Sequence, residues 1–200
     1  MTSQTLVKSN KNSRIGIFGG LFDPPHIAHC IIAQWVLEEC NLNKIIFVPA
    51  ANPPHKSKYS SYYIRYELTA LAIRDNGKFV ISDIEKKIRG KTYTIDVIKK
   101  LKQNVHGSLY LIIGSDQWQE IETWKRPAEL LHECKIIVVP RPWYPIKKTG
   151  RFYKKILISR TPLIDISSTV IRKRIQKNCD ITYLVPQQVL TYIRTKHLYR

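Results

Sequence analysis

The sequence predicts an α/β fold, a doubly wound, mostly parallel sheet that gives way to a C-terminal helical segment. Three observations carry that expectation. Short apolar runs recur along the chain, most of them continuous rather than alternating, as in strands covered on both faces. Segments with helical spacing separate them. The chemically distinctive residues gather just after the apolar runs, where an open parallel sheet binds its ligands.

Taken in order, residues 1–13 (MTSQTLVKSNKNS) are polar, with no signal-peptide core, no arginine and no amphipathic stripe, and should form a flexible tail. Residues 14–200 should then form a single domain. Strands are expected at Arg14–Phe18, Lys44–Pro49, Lys78–Ile81, Leu109–Ile113, Lys135–Val139 and Ile156–Ser159. Helices are expected at Ile27–Glu39, Tyr62–Arg74, Ile95–Gln103 and Pro127–His132. After Thr169 the pattern turns helical again, with a last helix from about Pro186 to Lys196. Arg141–Gly150 reads as a surface loop. The loops Gly19–His29, Ala50–Lys58, Gly114–Trp124 and Pro140–Thr149 should therefore share the carboxyl edge of the sheet.

A chain of 200 residues, 44% of them hydrophobic, can bury a core without disulfide staples. Its four cysteines, Cys30, Cys40, Cys134 and Cys179, form no CxxC pair. That spacing argues against a disulfide framework or zinc knuckle and for a reducing, cytoplasmic setting. No apolar run approaches membrane-spanning length. Lys and Arg number 33 against 15 acids, a net charge of +18. This points to anionic partners such as phosphates, nucleotides or RNA, or to a lysine-rich solvated surface; charge alone does not choose.

Two stretches carry the chemistry. In GIFGGLFDPPHIAH (Gly16–His29), Gly19 and Gly20 are expected to let the backbone pass close to a ligand, with φ values closed to other residues. Asp23, Pro24 and Pro25 suit a helix start. His26 and His29 then fall one turn apart on one side, beside amides and a dipole that favour an anion. A phosphate pocket and a tight turn with capping histidines both fit this spacing. Zinc does not, because only Asp23 and Cys30 stand close and HExxH is absent, so no metal ligands are expected. Neither GxxxxGK[ST] nor GxGxxG occurs. In ISSTVIR (Ile166–Arg172), the hydroxyls and amides of Ser167, Ser168 and Thr169 precede Arg172 by one turn. That set suits a polyphosphate, or an ordinary helix cap with a surface arginine. Asp116, just past a strand end and a glycine, is a ligand candidate by position. His55, His106, His132 and His197 read as surface or structural residues.

Together these stretches resemble the nicotinate mononucleotide adenylyltransferase family of nucleotidylyltransferases. The family's GGxFDPxHxGH falls on Gly19–His29 and its IS(S/A)TxIR on Ile166–Arg172. Between them, Asn52–Lys56 resembles its PPHK loop, Asp83-Ile84-Glu85 and Tyr93–Asp96 its DxE…SYTxDT stretch, Ile112–Asp116 its IIGxD, and Thr123-Trp124 its TW pair. Leu198-Tyr199-Arg200 resembles its GLYR ending, so the likeness spans Ile15 to Arg200. Leu21 stands where the family usually has a small hydroxyl residue, Ala28 where it has glycine and Lys91-Thr92 where it has Pro-Ser; none of these removes a residue to which the resemblance assigns a charge or proton.

The resemblance implies a Rossmann-like nucleotidylyltransferase architecture. It also implies adenylyl transfer from ATP to nicotinate mononucleotide, giving deamido-NAD and pyrophosphate in NAD biosynthesis, with Mg²⁺ accompanying ATP. It assigns His29 to the α-phosphate with His26 beside it, and Arg172 with Ser167, Ser168 and Thr169 to the β- and γ-phosphates. Phe18, Gly19, Gly20 and Phe22 would line the ATP site, and Asp116 would hold ribose hydroxyls. Lys56 would meet a substrate phosphate, Trp124 would offer a face to the pyridine ring, and amides near Tyr93 and Thr94 would bind its carboxylate. ATP and the mononucleotide are thus the expected partners, with no membrane or nucleic acid, and an oligomer is compatible. The rivals are preference for nicotinamide mononucleotide, phosphopantetheine adenylyltransferase, and a non-catalytic RNA-binding protein. Phosphopantetheine adenylyltransferases usually carry Thr near the position of His26. A class I tRNA synthetase fragment would need a KMSKS-type loop, which the chain lacks.

Overall fold

The computed structural model describes residues 10–53, 59–147 and 149–200. Six strands form one sheet: β1 (Arg14–Gly20), β2 (Lys44–Pro49), β3 (Phe79–Ile81), β4 (Ser108–Gly114), β5 (Lys135–Val139) and β6 (Ile156–Ile158). Their order is β3-β2-β1-β4-β5-β6, and every pairing is parallel. The helices are α1 (Ile27–Glu39), α2 (Tyr62–Ile73), α3 (Thr94–Lys102), α4 (Ser115–Gln119), α5 (Pro127–Glu133), α6 (Ser168–Gln176) and α7 (Gln187–Thr195). Short 3₁₀ turns occupy Ile84–Lys87, Ile121–Thr123 and Tyr153–Lys155.

Strand side chains alternate between two apolar layers, which is why the strand sequences are apolar throughout. Ile15, Ile17, Ile46, Val48, Leu109, Leu111, Ile136 and Val138 face α3 and α5, meeting Ile98, Leu101 and Leu130. Ile45, Phe47, Tyr110, Ile112, Ile137 and Val139 face α1 and α2, meeting Ala33, Val36, Leu37 and Ile73. Each fully buried aliphatic side chain contributes about 1.5–3 kcal/mol, so both layers hold the sheet rigid beneath its loops. A third cluster joins α2 to the C-terminal helices through Leu68, Ile171, Val189, Leu190 and Ile193.

The chain winds from β1 out to β3, then crosses back to place β4 on the other side of β1. The carboxyl ends of β1 and β4 therefore diverge, and their loops border the crevice where such sheets bind ligands. Two expectations change here. Gly19 and Gly20 are not in a left-handed turn; they extend β1, in register with Val48 and Pro49. The left-handed residue is Phe22, with φ of 51°, held by packing of its ring against Phe18 and Phe47. Nor does Asp23 start the helix, because the cap of α1 is His26 and the Asp23 carboxylate is engaged elsewhere. Helix α4 was not expected; five residues are too few to show a period. Among the described residues no helix is long and apolar enough to cross a membrane, and all four cysteines are free.

Candidate active site

The histidine pair is built at the first turn of α1. The extended backbone of His26 lets its N–H donate to Nδ1 of His29, 3.1 Å away, satisfying an amide that the helix leaves without a partner. The two rings stack, with centroids 3.7 Å apart. Phe22 approaches the His29 ring to 5.0 Å and Phe18 to 5.9 Å. Burial against this apolar wall disfavours the imidazolium form. It lowers His26 to about 4, with the nearby Arg141 adding to the effect. His29 is driven well below its ordinary 6.5 by burial, then by His26 and Arg141. Both rings are thus neutral near pH 7. Because Nδ1 of His29 accepts a bond, its proton sits on Nε2, which makes it a neutral N–H donor.

The C-terminal motif reaches this loop directly. Ser167 caps α6, its hydroxyl accepting from the Val170 N–H at 3.3 Å. Ser168 Oγ donates to the Pro24 carbonyl at 2.8 Å. Arg172 donates from Nη1 to the Asp23 carbonyl (2.6 Å) and from Nη2 to Thr169 Oγ1 (3.3 Å). The first amide of α1, on Ile27, donates to the Leu184 carbonyl at 3.0 Å. Side chains 144 and 149 residues away in sequence therefore set the loop's path.

Arg65, absent from the sequence reading, anchors the same loop from α2. It is fully buried, donating from Nη1 to the Leu21 carbonyl and from Nε to the Ser60 carbonyl, both at 2.9 Å. The Asp23 carboxylate accepts from the Ser60 N–H (3.0 Å) and the Tyr199 hydroxyl (2.8 Å). The available signal was an arginine in the core-facing row of a predicted helix.

Across the crevice, Gly114 caps α4. A Cβ there would lie 2.3 Å from Oδ1 of Asp116 and 2.7 Å from Cδ of Arg141, so only glycine admits both side chains. Arg141 pairs with Asp116 at 3.5 Å, and its N–H donates to Ser115 Oγ at 2.9 Å. Arg141 begins the predicted surface loop and is exposed there, yet its charge adds to the lowering of both histidines. Its position one residue beyond the Pro140 that follows β5 was the missed clue.

Tyr93 caps α3 and Thr94 is its first residue. Trp124 and Tyr93 both pack, half-buried, on the α3 side of the core. Lys125, beside Trp124, sits 4.4 Å from the Tyr93 ring centroid and bonds Asp96 at 2.9 Å. Glu85 accepts the Ala51 N–H at 2.8 Å. Burial raises its pKa to about 7, against the pull of that amide and of Arg65. Lys56, expected to meet a substrate phosphate, lies outside the described residues, as does the remainder of the Asn52–Lys56 stretch beyond residue 53.

Residues 17–174 match the family described as cytidylyltransferase-like. The chain belongs to this family. It is 40% identical over 195 residues to a Coprothermobacter proteolyticus protein named "Probable nicotinate-nucleotide adenylyltransferase", covering 97% of this chain and 99% of that one. A Thermoanaerobacter relative of the same name is 41% identical over 200 residues, covering 94% of each. A solved structure, the Plasmodium falciparum nicotinic acid mononucleotide adenylyltransferase complexed with NaAD, superposes with a TM-score of 0.80 at 24% identity. The superposition covers 94% of this chain and 98% of that one. At that identity the match speaks for the fold, which this member of the family shares.

Proposed function

We propose that this protein is a nicotinate-nucleotide adenylyltransferase, joining ATP and nicotinate mononucleotide to give deamido-NAD and pyrophosphate. The carrying observation is the meeting of two anion-suited segments at the crevice: the histidine loop after β1 and the capped start of α6, linked by Ser168 to Pro24 and Arg172 to Asp23. The names of relatives about 40% identical along nearly the whole chain support the same reading.

In this reaction an oxygen of the mononucleotide phosphate attacks the α-phosphorus of ATP. The new P–O–P bond forms as the α–β bond breaks and pyrophosphate leaves. The attacking oxygen is already anionic, so no general base is needed, and catalysis rests on alignment and charge stabilisation. We assign the α-phosphate to the neutral N–H of His29, with His26 stacked beside it. Such a donor strengthens its bond as charge grows on the equatorial oxygens. Arg172, with the first turn of α6, takes the β- and γ-phosphates; its guanidinium has N–H groups beyond those bonded to Asp23 and Thr169. The open space beside Gly19 admits the nucleotide, Phe18, Gly20 and Phe22 shape its wall, and Asp116 takes ribose hydroxyls. Trp124 offers a ring face to the pyridine, and the amides opening α3 at Tyr93 and Thr94 suit a carboxylate. Lys56 is assigned to the mononucleotide phosphate.

Nucleotidyltransferases usually use a divalent metal. Among the described residues no three His, Cys, Asp or Glu side chains gather as a ligand set. Mg²⁺ would accompany ATP and, when bound, would neutralise charge on the triphosphate beside Arg172 and the first turn of α6. The free cysteines accord with a reducing cytoplasm.

The test supplies purified protein with ATP, Mg²⁺ and either nicotinate or nicotinamide mononucleotide, with dinucleotide and pyrophosphate as the readout. The acid should be strongly preferred, and His29→Ala should lower kcat by about 10²–10³ in a folded protein. No turnover of the acid mononucleotide, or an unaffected variant, would refute the assignment.

A further inference from the structure

The last residues of the chain turn back to touch the loop that carries the histidines. Helix α7 ends at Thr195. His197 takes a left-handed conformation (φ 50°) while the Leu198 N–H returns to the Ile193 carbonyl at 3.1 Å, closing the helix end. Tyr199 is left-handed as well, with φ of 67°, a conformation that non-glycine residues adopt only when their surroundings hold them there. Leu198 and Tyr199 pack on the α2–α6–α7 cluster. The Tyr199 hydroxyl then donates 2.8 Å to Oδ1 of Asp23, 176 residues away in sequence.

Asp23 is 2% exposed, and its polar atoms face three segments. Its carbonyl accepts from Arg172 of α6, Oδ2 from the Ser60 N–H just ahead of α2, and Oδ1 from Tyr199. Ser60 closes the connection that leaves β2, and His26 lies three residues beyond Asp23. With Oδ1 bonded as well as Oδ2, the carboxylate is held at both oxygens against rotation about its side-chain torsion, a motion that would carry Oδ2 away from Ser60. Burial pushes the Tyr199 hydroxyl far above its ordinary value, so it remains a donor at any working pH.

We propose that Tyr199 is a positioning residue for adenylyl transfer. Through Asp23 it fixes the histidine loop relative to Ser60, just ahead of α2, so that the histidines and Arg172 meet ATP in register. This rests on the activity proposed above. It assigns a task in catalysis to the end of the chain beyond completing a helix.

Tyr199→Phe keeps the ring and removes only the donor, with Tyr183→Phe, at a site 90% exposed, as the control. In Tyr199→Phe, kcat should fall about 10- to 100-fold, the range expected for misalignment of about an ångström. Saturation with either substrate should not restore it. Amide exchange at Ser60 should quicken while exchange in β4 stays as slow as in the wild type. A kcat within twofold of wild type refutes the proposal. So does protection lost equally at Ser60 and in β4, or a variant that does not fold, because the hydroxyl would then serve stability alone. If the wild-type protein forms no dinucleotide, the activity reading fails by itself. Unchanged Ser60 exchange in the variant would in that case show separately that Tyr199 does not hold the loop.

Discussion

Glu85→Gln should make the protein more stable in mild alkali and leave its stability unchanged near pH 4.5. Glu85 sits half-buried, with one oxygen on the Ala51 N–H and Arg65 near enough to favour its charge. Burial outweighs both and raises its pKa from 4.5 to about 7. The direction of the linkage follows. In the unfolded chain the carboxyl ionises near 4.5, in the folded protein near 7, so between these values the folded state binds more protons. Stability from this group is complete below pH 4.5 and is lost as pH rises through 7. At about 1.4 kcal/mol per pH unit, the gap from 4.5 to about 7 corresponds to about 3.5 kcal/mol. Partial contact with water reduces that to roughly 2 kcal/mol. Glutamine is neutral at every pH and its carbonyl can keep the Ala51 bond. Urea unfolding at pH 4.5, 6 and 8, for wild type and variant together, isolates the effect, since shifts from other groups cancel in the difference. A variant less stable at pH 8 would show that the pull of Arg65 and Ala51 outweighs desolvation, and a difference independent of pH that they cancel it; either outcome refutes the expected stabilisation.

Two further outcomes follow from the site. The C–H proton resonances of His26 should titrate near 4, and ¹⁵N shifts of His29 should report the Nε2–H tautomer at pH 7. A midpoint near 6.5 for His26 would overturn the neutral-donor account. The histidine groups lose folded-state stability as pH falls below 6.5, because the unfolded rings take protons first. Gly19→Ala places a Cβ where no atom lies within 4 Å, so stability should stay within about 0.5 kcal/mol while KM for ATP rises. An unchanged KM would move the nucleotide away from β1.

The sheet was legible because the strands are buried on both faces and therefore apolar without interruption. Lys44–Pro49, Lys135–Val139 and Ile27–Glu39 have the same bounds in sequence and structure. The backbone conformation of the glycine pair is not legible, because a glycine before a turn looks the same in sequence whether extended or left-handed. Here an aromatic cluster, rather than glycine freedom, holds the left-handed turn at Phe22. The motifs on either side of the crevice were legible as motifs, but the bonds that join them were not. Arg172 to Asp23 and Tyr199 to Asp23 connect residues 149 and 176 positions apart, and local pattern holds no record of such pairs. Arg141 escaped notice for a related reason: its neighbours Pro140, Pro142 and Trp143 read as loop, while its effect on the histidines depends on the return of β5 beside β4.

The net charge of +18 would be a poor catalyst if it were concentrated in the crevice. A dense cluster of cations binds triphosphate, dinucleotide and released pyrophosphate alike, and uniform binding does not lower the barrier. The site instead places neutral rings beside cations that already have partners. Arg141 leans on Asp116, and Arg172 on the Asp23 carbonyl and Thr169. On the proposed reading, a cation drawn from its protein partner toward a substrate phosphate would return to that partner as product leaves. On the assignment proposed above, the histidines, kept uncharged by the phenylalanine wall and by Arg141 itself, would respond chiefly to the charge that grows on the equatorial oxygens in the transition state. The apolar wall and Arg141, which at first look like obstacles to binding a phosphate with histidine, are on this account what makes the pair selective for the reacting phosphorus.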